Sequence, residues 1–172
     1  MFALLQAFFQ IVMRRLGPED LPDSRLLVLL TLVAYIAMQT LPAFQVYGWS
    51  PVVPEAVVID VALLTSALWL LLRITAHADR YRRTLTALLG TGALLTLPLI
   101  PLNFWLQVFT QAGHAPAGPS IAILILLAWS LMVQGHILSR ALSSSFAVGL
   151  LLSIGYFVIN YGVILQLSPL KP

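Results

Sequence analysis

Long apolar runs alternate with short polar connectors along this chain, and this alternation constrains the fold more than any other feature. Each of five runs contains about 20 mostly apolar residues, the length that an α-helix needs to cross a bilayer. Only 9% of the 172 residues are charged, whereas about 25% is usual in soluble domains. A soluble domain of this size could not hide so much apolar surface, so lipid must be the solvent for most of the chain.

The five runs predict an all-α integral membrane bundle of five transmembrane helices, because backbone polar groups inside a bilayer must be satisfied within the protein. We place the spans at about residues 26–44, 54–74, 85–105, 120–138 and 145–165. The third span contains Pro98 and Pro101, which predict a kink. Residues 17–172 are therefore expected to form a single five-span membrane domain.

The first 16 residues predict a short amphipathic helix in the membrane interface, since they are apolar but too short to span. Gln6, Gln10 and Arg14 recur at every fourth position and form a narrow polar stripe. The opposite face would carry Phe2, Leu5, Phe9, Val12 and Leu16. We expect this helix, at residues 1–16, to act as an anchor that packs the first span. The alternative is a membrane-sensing or partner-docking helix.

The basic residues cluster in alternate connectors, and Lys and Arg resist translocation across the membrane. With a cytoplasmic N-terminus, eight of the nine basic residues fall on the cytoplasmic side and only Lys171 falls outside. The eight are Arg14, Arg15, Arg25, Arg73, Arg80, Arg82, Arg83 and Arg140. The chain has eight arginines and only one lysine, a preference that is typical of a GC-rich bacterial genome. The pattern predicts a multi-pass protein of the bacterial cytoplasmic (inner) membrane with its C-terminus outside.

The formal net charge of +3 would also suit a nucleic-acid partner. The charges stand at the ends of apolar runs, however, which favours the anionic headgroups of the cytoplasmic leaflet and argues against nucleic acid. Candidate lipid-headgroup contacts are Arg73, Arg80, Arg82, Arg83, His136 and Arg140. The other partners that we expect are membrane proteins or a second copy of the chain.

Asp60 is the only ionisable residue well inside an apolar run, and an intramembrane carboxylate is a candidate for proton or cation handling. Asn103, Gln134 and Asn160 join it as a candidate intramembrane polar site. Hydrogen bonds between helices are the simpler explanation for the amides. Asp60 itself would lie roughly 9 Å from a helix start near Pro54, where headgroup water or a partner in the bundle would satisfy it.

Small residues recur at every fourth position of the fifth span, at Ser145, Gly149 and Ser153. Residues at this spacing share one face of a helix, and small side chains let two membrane helices approach closely. We interpret the three residues as a candidate helix-packing groove. The groove favours a protein that acts by contact with membrane partners or with itself.

No set of residues typical of catalysis is present. The chain has no cysteine, no Gly-x-Ser-x-Gly and no His-Glu-x-x-His, and it lacks a phosphate-binding glycine loop. Its three histidines, at positions 77, 114 and 136, fall on different connectors or sides of the membrane, which argues against a shared metal site. We therefore expect a protein that is not an enzyme and that has neither a cofactor nor a metal site.

Residues 77–90 form a polar connector in which an aromatic residue, Tyr81, precedes a span that then meets prolines, Pro98 and Pro101. This stretch resembles the polar connector of the Yip family, the Ypt/Rab-interacting five-span membrane proteins with many bacterial relatives. Residues 128–142 resemble its fourth span and the following turn. The resemblance implies a membrane-organising or partner-binding role, and it does not imply a substrate.

Two functions follow from these observations. The first is a non-enzymatic membrane protein that acts through helix–helix contacts, in membrane organisation, a trafficking-like role or complex assembly. The alternative is a small transporter, or a subunit of a transporter or channel, that uses Asp60 and the proline-containing third span. Transporters often have two interrupted spans in corresponding positions of the two halves of the chain. In this sequence only the third span is clearly interrupted, which argues against the alternative.

The predicted orientation can be tested with reporter fusions. After Ala78, a reporter that works only in the cytoplasm should be active, because arginine keeps this connector inside. After Gly113, a reporter that works only outside the cytoplasm should be active. Replacing Arg80, Arg82 and Arg83 with glutamine should weaken this bias without abolishing insertion. An Ala78 fusion that reports from outside would contradict both the orientation and the five-span arrangement.

Overall fold

A computed structural model describes residues 2–48, 50, 52–111 and 117–167; Lys171 and His114 lie outside the described residues. Within the described part, all regular structure is helical. The α-helices are α1 Phe2–Val12, α2 Arg25–Tyr47, α3 Val52–Ile74, α4 Tyr81–Gln111, α5 Ala117–Ala141 and α6 Phe146–Leu167. Single turns of 3₁₀-helix at Pro18–Asp20 and Ala78–Arg80 precede α2 and α4.

The helices α2 to α6 are each long and apolar enough to cross a membrane. This confirms the prediction of an all-α bundle with five spanning helices. The largest difference concerns α4, which begins at Tyr81 and ends at Gln111, whereas residues 85–105 were expected. Arg82 and Arg83 therefore lie in the first turn of α4 and not in a loop. The chain reverses between α3 and α4 over residues 75–80 alone.

Three helices end with a residue in the left-handed conformation. These residues are Arg14 after α1 (φ 58°), Ala76 after α3 (φ 61°) and Ser143 after α5 (φ 50°). After α3, for example, the His77 amide donates to the carbonyl oxygen of Leu72 at 2.8 Å. This is the Schellman motif, in which glycine is the usual residue because it has no Cβ. The three turns thus reverse the chain tightly but at some steric cost.

The central helix of the bundle is α4, which contacts α1, α2, α3 and α5. Half of the residues in the most apolar 18-residue stretch of α4 are buried, compared with at most 22% in the corresponding stretches of the other spanning helices. Glycines make this packing possible. A Cβ at Gly92 would lie 2.7 Å from the Tyr35 ring, and one at Gly90 would overlap the ring of Phe8. Aromatic rings from α2 and α1 therefore reach the backbone of α4.

Pro98 and Pro101 lie inside α4, and neither of them ends the helix, which continues to Gln111. A proline has no amide hydrogen, so the carbonyl oxygens of Leu94 and Leu97 lose their usual helical donors. The middle of α4 is therefore continuous in secondary structure but has fewer backbone hydrogen bonds than the rest of the helix.

The N-terminal helix α1 packs against α4 and α5, whereas the sequence led us to expect contact with the first span. Its buried side chains are Phe8, Ile11 and Val12. Leu5 and Phe9, which share the predicted apolar face with Val12, are 55% and 58% exposed, so this part of the face does not pack within the bundle, and its contact with the membrane interface stays a prediction. Because α1 is apolar on nearly all sides, the fit of Phe8 against Gly90 selects the buried face, and the spacing of the polar residues does not.

Ala76→Gly should stabilise the protein, because glycine adopts the left-handed conformation at the end of α3 without the clash of a Cβ. We expect the free energy of unfolding to rise by about 1 kcal/mol, measured by denaturant titration in detergent with tryptophan fluorescence. Ala78→Gly is the matched control, since Ala78 lies in the nearby 3₁₀ turn and its φ is not positive. If Ala76→Gly and Ala78→Gly changed the free energy of unfolding equally, the proposal that the backbone is strained at Ala76 would be wrong.

Candidate intramembrane binding site

Asp60 lies on α3, well inside the apolar part of the bundle. The helix begins at Val52 and not near Pro54. Asp60 is therefore eight residues along it, about 12 Å from its start at 1.5 Å per residue, and the expected 9 Å is too short. At this depth the carboxylate needs partners from the protein, because an unpaired charge in the hydrocarbon region is costly.

Three side chains donate hydrogen bonds to this carboxylate. The Tyr35 hydroxyl of α2 donates to one oxygen at 2.6 Å. From α6, the Tyr156 hydroxyl donates to the other oxygen at 3.3 Å, and the Asn160 amide donates to that same oxygen. A single carboxylate thus joins α2, α3 and α6. The sequence suggested that Asp60 would find a partner within the bundle, and the structure shows three such partners.

The polar network continues from Tyr35 to α4. The Gln39 amide nitrogen donates to the Tyr35 hydroxyl oxygen at 3.0 Å, and the Thr96 hydroxyl donates to the Gln39 amide oxygen at 3.0 Å. On α6, the Asn160 amide also donates to the Tyr156 hydroxyl oxygen at 2.8 Å. Four of the five spanning helices are therefore connected by one chain of side-chain hydrogen bonds.

The two tyrosines of this network were not predicted from the sequence, because an aromatic residue in an apolar run is usually part of the packing. A signal was nevertheless present. Tyr35 stands four residues before Gln39, and Tyr156 stands four residues before Asn160. Each pair lies on one face of its helix, so a tyrosine hydroxyl and an amide face the same direction.

A cavity of about 430 Å³ lies beside Asp60, between the helices. All four residues of the predicted polar site line it: Asp60, Asn103, Gln134 and Asn160. The structure therefore brings together side chains from α3, α4, α5 and α6 that are up to 100 residues apart in sequence. Tyr35 and Gln39 contribute the α2 wall, so all five spanning helices contribute to the cavity.

Two of the amides that line the cavity are available for a ligand. Among the described residues, neither Asn103 nor Gln134 has a hydrogen-bond partner in the protein, whereas Asn160 is engaged by Asp60 and Tyr156. An amide without a partner in an apolar medium is costly, at roughly 1–3 kcal/mol on scales from protein mutants. Both amides thus favour a bound polar molecule or water in the cavity.

A second cavity, of about 370 Å³, adjoins the first and shares Tyr35, Gln39, Gln134 and Tyr156 with it. It extends between α4 and α5, where its lining includes Thr91, Thr96 and Ser130. The polar interior is therefore longer than the space beside Asp60 alone. Gln134 lies at the junction of the two cavities.

The predicted helix-packing groove is occupied within the chain. A Cβ at Gly149 would overlap the carbonyl oxygen of Gly135 and would lie 2.7 Å from the Ser139 amide nitrogen, so α5 and α6 are in backbone contact. The Ser153 hydroxyl donates to the carbonyl oxygen of Leu131 at 3.0 Å. Ser145 is exposed just before α6. Gly149 and Ser153 therefore pack α6 onto α5 and do not face a partner.

The predicted headgroup contacts lie at one end of the bundle, where α2 and α4 begin and α3 and α5 end; we call it the arginine-rich end. Arg80 donates to the Ala141 carbonyl oxygen at 2.9 Å and to the Ser143 hydroxyl oxygen at 2.7 Å. It thus satisfies a carbonyl that the end of α5 leaves without a helical partner. Arg83 is exposed and lines a cavity at this end together with Arg140.

Four other members of the predicted headgroup set also contact the protein. Arg140 pairs with Glu19, Arg82 pairs with Asp23 at 3.4 Å, Arg73 lies 4.8 Å from the Trp69 ring, and His136 Nε2 lies 3.0 Å from the Leu16 carbonyl oxygen. The contacts of Arg140, Arg82 and His136 join the segment before α2 to α4 and α5, whereas Arg73 and Trp69 both lie on α3. The basic residues therefore hold this end of the bundle together, whatever their contacts with lipid.

Comparison with protein-family models, with curated proteins and with solved structures finds no match to this chain. The resemblance to the Yip family therefore stays a prediction. In the part of the chain that the structure describes, no group of three or more His, Cys, Asp or Glu side chains is placed to hold a metal ion. The cavity beside Asp60 instead offers one carboxylate, two available amides and several aromatic rings.

Tyr35→Phe should destabilise the bundle, because it removes one of three donors from a carboxylate inside the membrane. We expect a loss of about 2 kcal/mol in the free energy of unfolding, as for other hydrogen bonds to charged groups, measured by denaturant titration in detergent. Tyr161→Phe is the matched control, since Tyr161 also lines the cavity but does not contact Asp60. If Tyr35→Phe lowers the free energy of unfolding as little as Tyr161→Phe does, the Asp60 carboxylate does not depend on the hydrogen bond from Tyr35.

Proposed function

We propose that this chain is a multi-span protein of the bacterial cytoplasmic membrane that binds a small polar solute inside its five-helix bundle. It would act as a small transporter or as a subunit of a transporter or channel, and not as an enzyme. The observation that carries the proposal is the cavity of about 430 Å³ that is lined by the Asp60 carboxylate and by the amides of Asn103 and Gln134, neither of which has a hydrogen-bond partner among the described residues.

The composition of the cavity favours a binding site over a packing defect. Its volume falls within the range of about 300–1,000 Å³ that is usual for small-molecule sites. A void between membrane helices that served only packing would be lined by apolar side chains. Here the polar side chains converge from separate helices, and two of them have no partner among the described residues. Such groups are expensive to keep in a membrane and are usually functional.

The position of the cavity supports the transport form of the proposal. Solute sites of secondary transporters lie near the middle of the bilayer, and Asp60 lies about 12 Å from the start of α3. Leu99 and Asn103, which line the cavity, flank Pro101 on α4. Because the prolines remove backbone hydrogen bonds beside the cavity, α4 can bend there at lower cost than elsewhere.

The proposed orientation places the solute in the outer half of the membrane. Eight arginines lie in the segments at the arginine-rich end, which supports a cytoplasmic location for that end and for the N-terminus. Asp60 is eight residues from Val52 but fourteen from Ile74, the residue of α3 at the arginine-rich end. The cavity is therefore closer to the outer surface, and a solute would enter it from outside.

Action through helix–helix contact with membrane partners, as the Yip resemblance implies, stays a prediction from the sequence. Besides the Yip resemblance and the absence of a catalytic set of residues, its support was the groove of Ser145, Gly149 and Ser153. The packing of this groove against α5 removes that support. We therefore place solute binding first.

Asn103→Leu separates solute binding from folding. The Asn103 amide makes no hydrogen bond to described residues, so its replacement should not lower the free energy of unfolding, and the removal of an unsatisfied amide from an apolar medium should raise it by up to about 1–3 kcal/mol. The same change should abolish the rise in melting temperature that a bound solute causes. The measurement is a thermal-shift screen in lipid nanodiscs with neutral, anionic and cationic small solutes.

Gln111→Leu serves as the control for this screen, because Gln111 is an exposed amide on the same helix, two turns beyond Asn103. It should respond to solutes as the unchanged protein does. If no solute of any class stabilises the unchanged protein, or if Asn103→Leu responds equally well, the cavity is not a solute-binding site.

A further inference from the structure

The electrical character of the cavity narrows the class of solute. Among the described residues that line it, Asp60 is the only one with a charged side chain. A carboxylate has about four acceptor positions, and Tyr35, Tyr156 and Asn160 occupy three of them. One acceptor position is therefore left without a protein partner among the described residues, and no cationic side chain in that part of the chain lines the cavity. An anion would be repelled in this low-dielectric site, and a cation would be attracted.

The groups around Asp60 fit an organic cation better than a metal ion. Small hard cations such as Mg²⁺ and Ca²⁺ are held by about six to eight oxygen ligands. Here the immediate neighbours of the carboxylate are donors, the hydroxyl groups of Tyr35 and Tyr156 and the amide nitrogen of Asn160. No second carboxylate lines the cavity in the described part of the chain. A dehydrated metal ion would therefore lack ligands.

Aromatic rings supply what an organic cation requires. Tyr35, Tyr156, Phe157 and Tyr161 line the same cavity as Asp60. The Phe157 and Tyr161 rings are stacked, with centroids 6.0 Å apart and planes 16° from parallel. Aromatic rings beside a carboxylate attract ammonium groups through the ring quadrupole. The oxygens of Asn103 and Gln134 would accept hydrogen bonds from an N–H or O–H group of the same solute.

We propose that the cavity binds a small organic ammonium ion, with the Asp60 carboxylate as its counter-ion and the aromatic rings around its apolar groups. This inference rests on the proposed function and names the substrate class of that same cavity. The volume of about 430 Å³ has room for a cation with several carbon atoms. Asn103 and Gln134 would then bind the polar end of the molecule.

Choline, ethanolamine and the uncharged carbon isostere of choline, 3,3-dimethylbutan-1-ol, form a matched set of probes. Binding to the full chain in nanodiscs is measured by calorimetry. We expect at least one of the two ammonium ions to bind. If choline binds, its affinity should be at least about tenfold higher than that of its isostere, a factor equal to about 1.4 kcal/mol. Equal affinity for choline and its isostere would overturn the role of charge.

Variants locate the site. Asp60→Asn should weaken the binding of the ammonium ion about tenfold or more and should leave the binding of the neutral isostere unchanged. Because Asp60 also supports the fold, Phe157→Leu provides a second variant outside the hydrogen-bond network. It should weaken ammonium binding several-fold, whereas Phe104→Leu, at an exposed position on α4, should not. Full binding by both Asp60→Asn and Phe157→Leu would overturn the assignment.

The screen of solutes distinguishes failure of this inference from failure of the proposed function. If neutral or anionic solutes, Na⁺ or K⁺ bind in a manner that requires Asn103 while choline and ethanolamine do not bind, the cavity is a solute site of another class and the ammonium assignment is wrong. If no solute of any class binds, the proposed function itself falls, and the assignment falls with it.

Discussion

A carboxylate in the hydrocarbon region must find hydrogen-bond donors within the protein, and the packing of this bundle depends on how Asp60 finds them. Its donors come from α2 and α6, the helices on which Tyr35 and Tyr156 lie. Tyr35 in turn requires α4, because its ring packs on Gly92 and its hydroxyl group accepts from Gln39, which is held by α4. Hydrogen bonds of this kind are stronger in a low-dielectric interior. The same side chains therefore connect the helices and form a wall of the cavity.

The two ends of the bundle differ in construction. At the arginine-rich end, short connectors, Schellman turns and the hydrogen bonds of Arg80 hold the helices together, and Gly149 brings α6 into backbone contact with α5. Cavities lined by charged side chains also lie at this end. Further along the helices, beside Asp60, the cavities are lined instead by amide, aromatic and apolar side chains together with one carboxylate. A firmly connected end and a cavity beyond it would let a solute enter without unfolding the bundle, as the proposed function requires.

Part of the candidate site could be predicted from sequence, because a polar residue in a lipid-facing composition is conspicuous. Asp60, Asn103, Gln134 and Asn160 were found in this way, and the structure places them around one cavity. The tyrosines were not found, since a tyrosine in an apolar run has both an apolar ring and a polar hydroxyl group. Nor could the spacing of the amides show which of them reach a partner on another helix, because Asn160 donates to Asp60 of α3 while Asn103 has no partner in the described part.

The sequence by itself determined the helical class, the five spans and the clustering of arginines at one end, because hydropathy and charge act locally along the chain. It did not determine which face of α1 is buried, which helix fills the groove at Gly149, or where the carboxylate finds its donors. Those outcomes depend on how Phe8 fits Gly90, how α5 fits α6 and how Tyr35 reaches Asp60. Each of these is a fit between segments distant in sequence, and a membrane supplies no hydrophobic force to choose among them. Shape and hydrogen bonding decided them, and both exist only once the helices are packed.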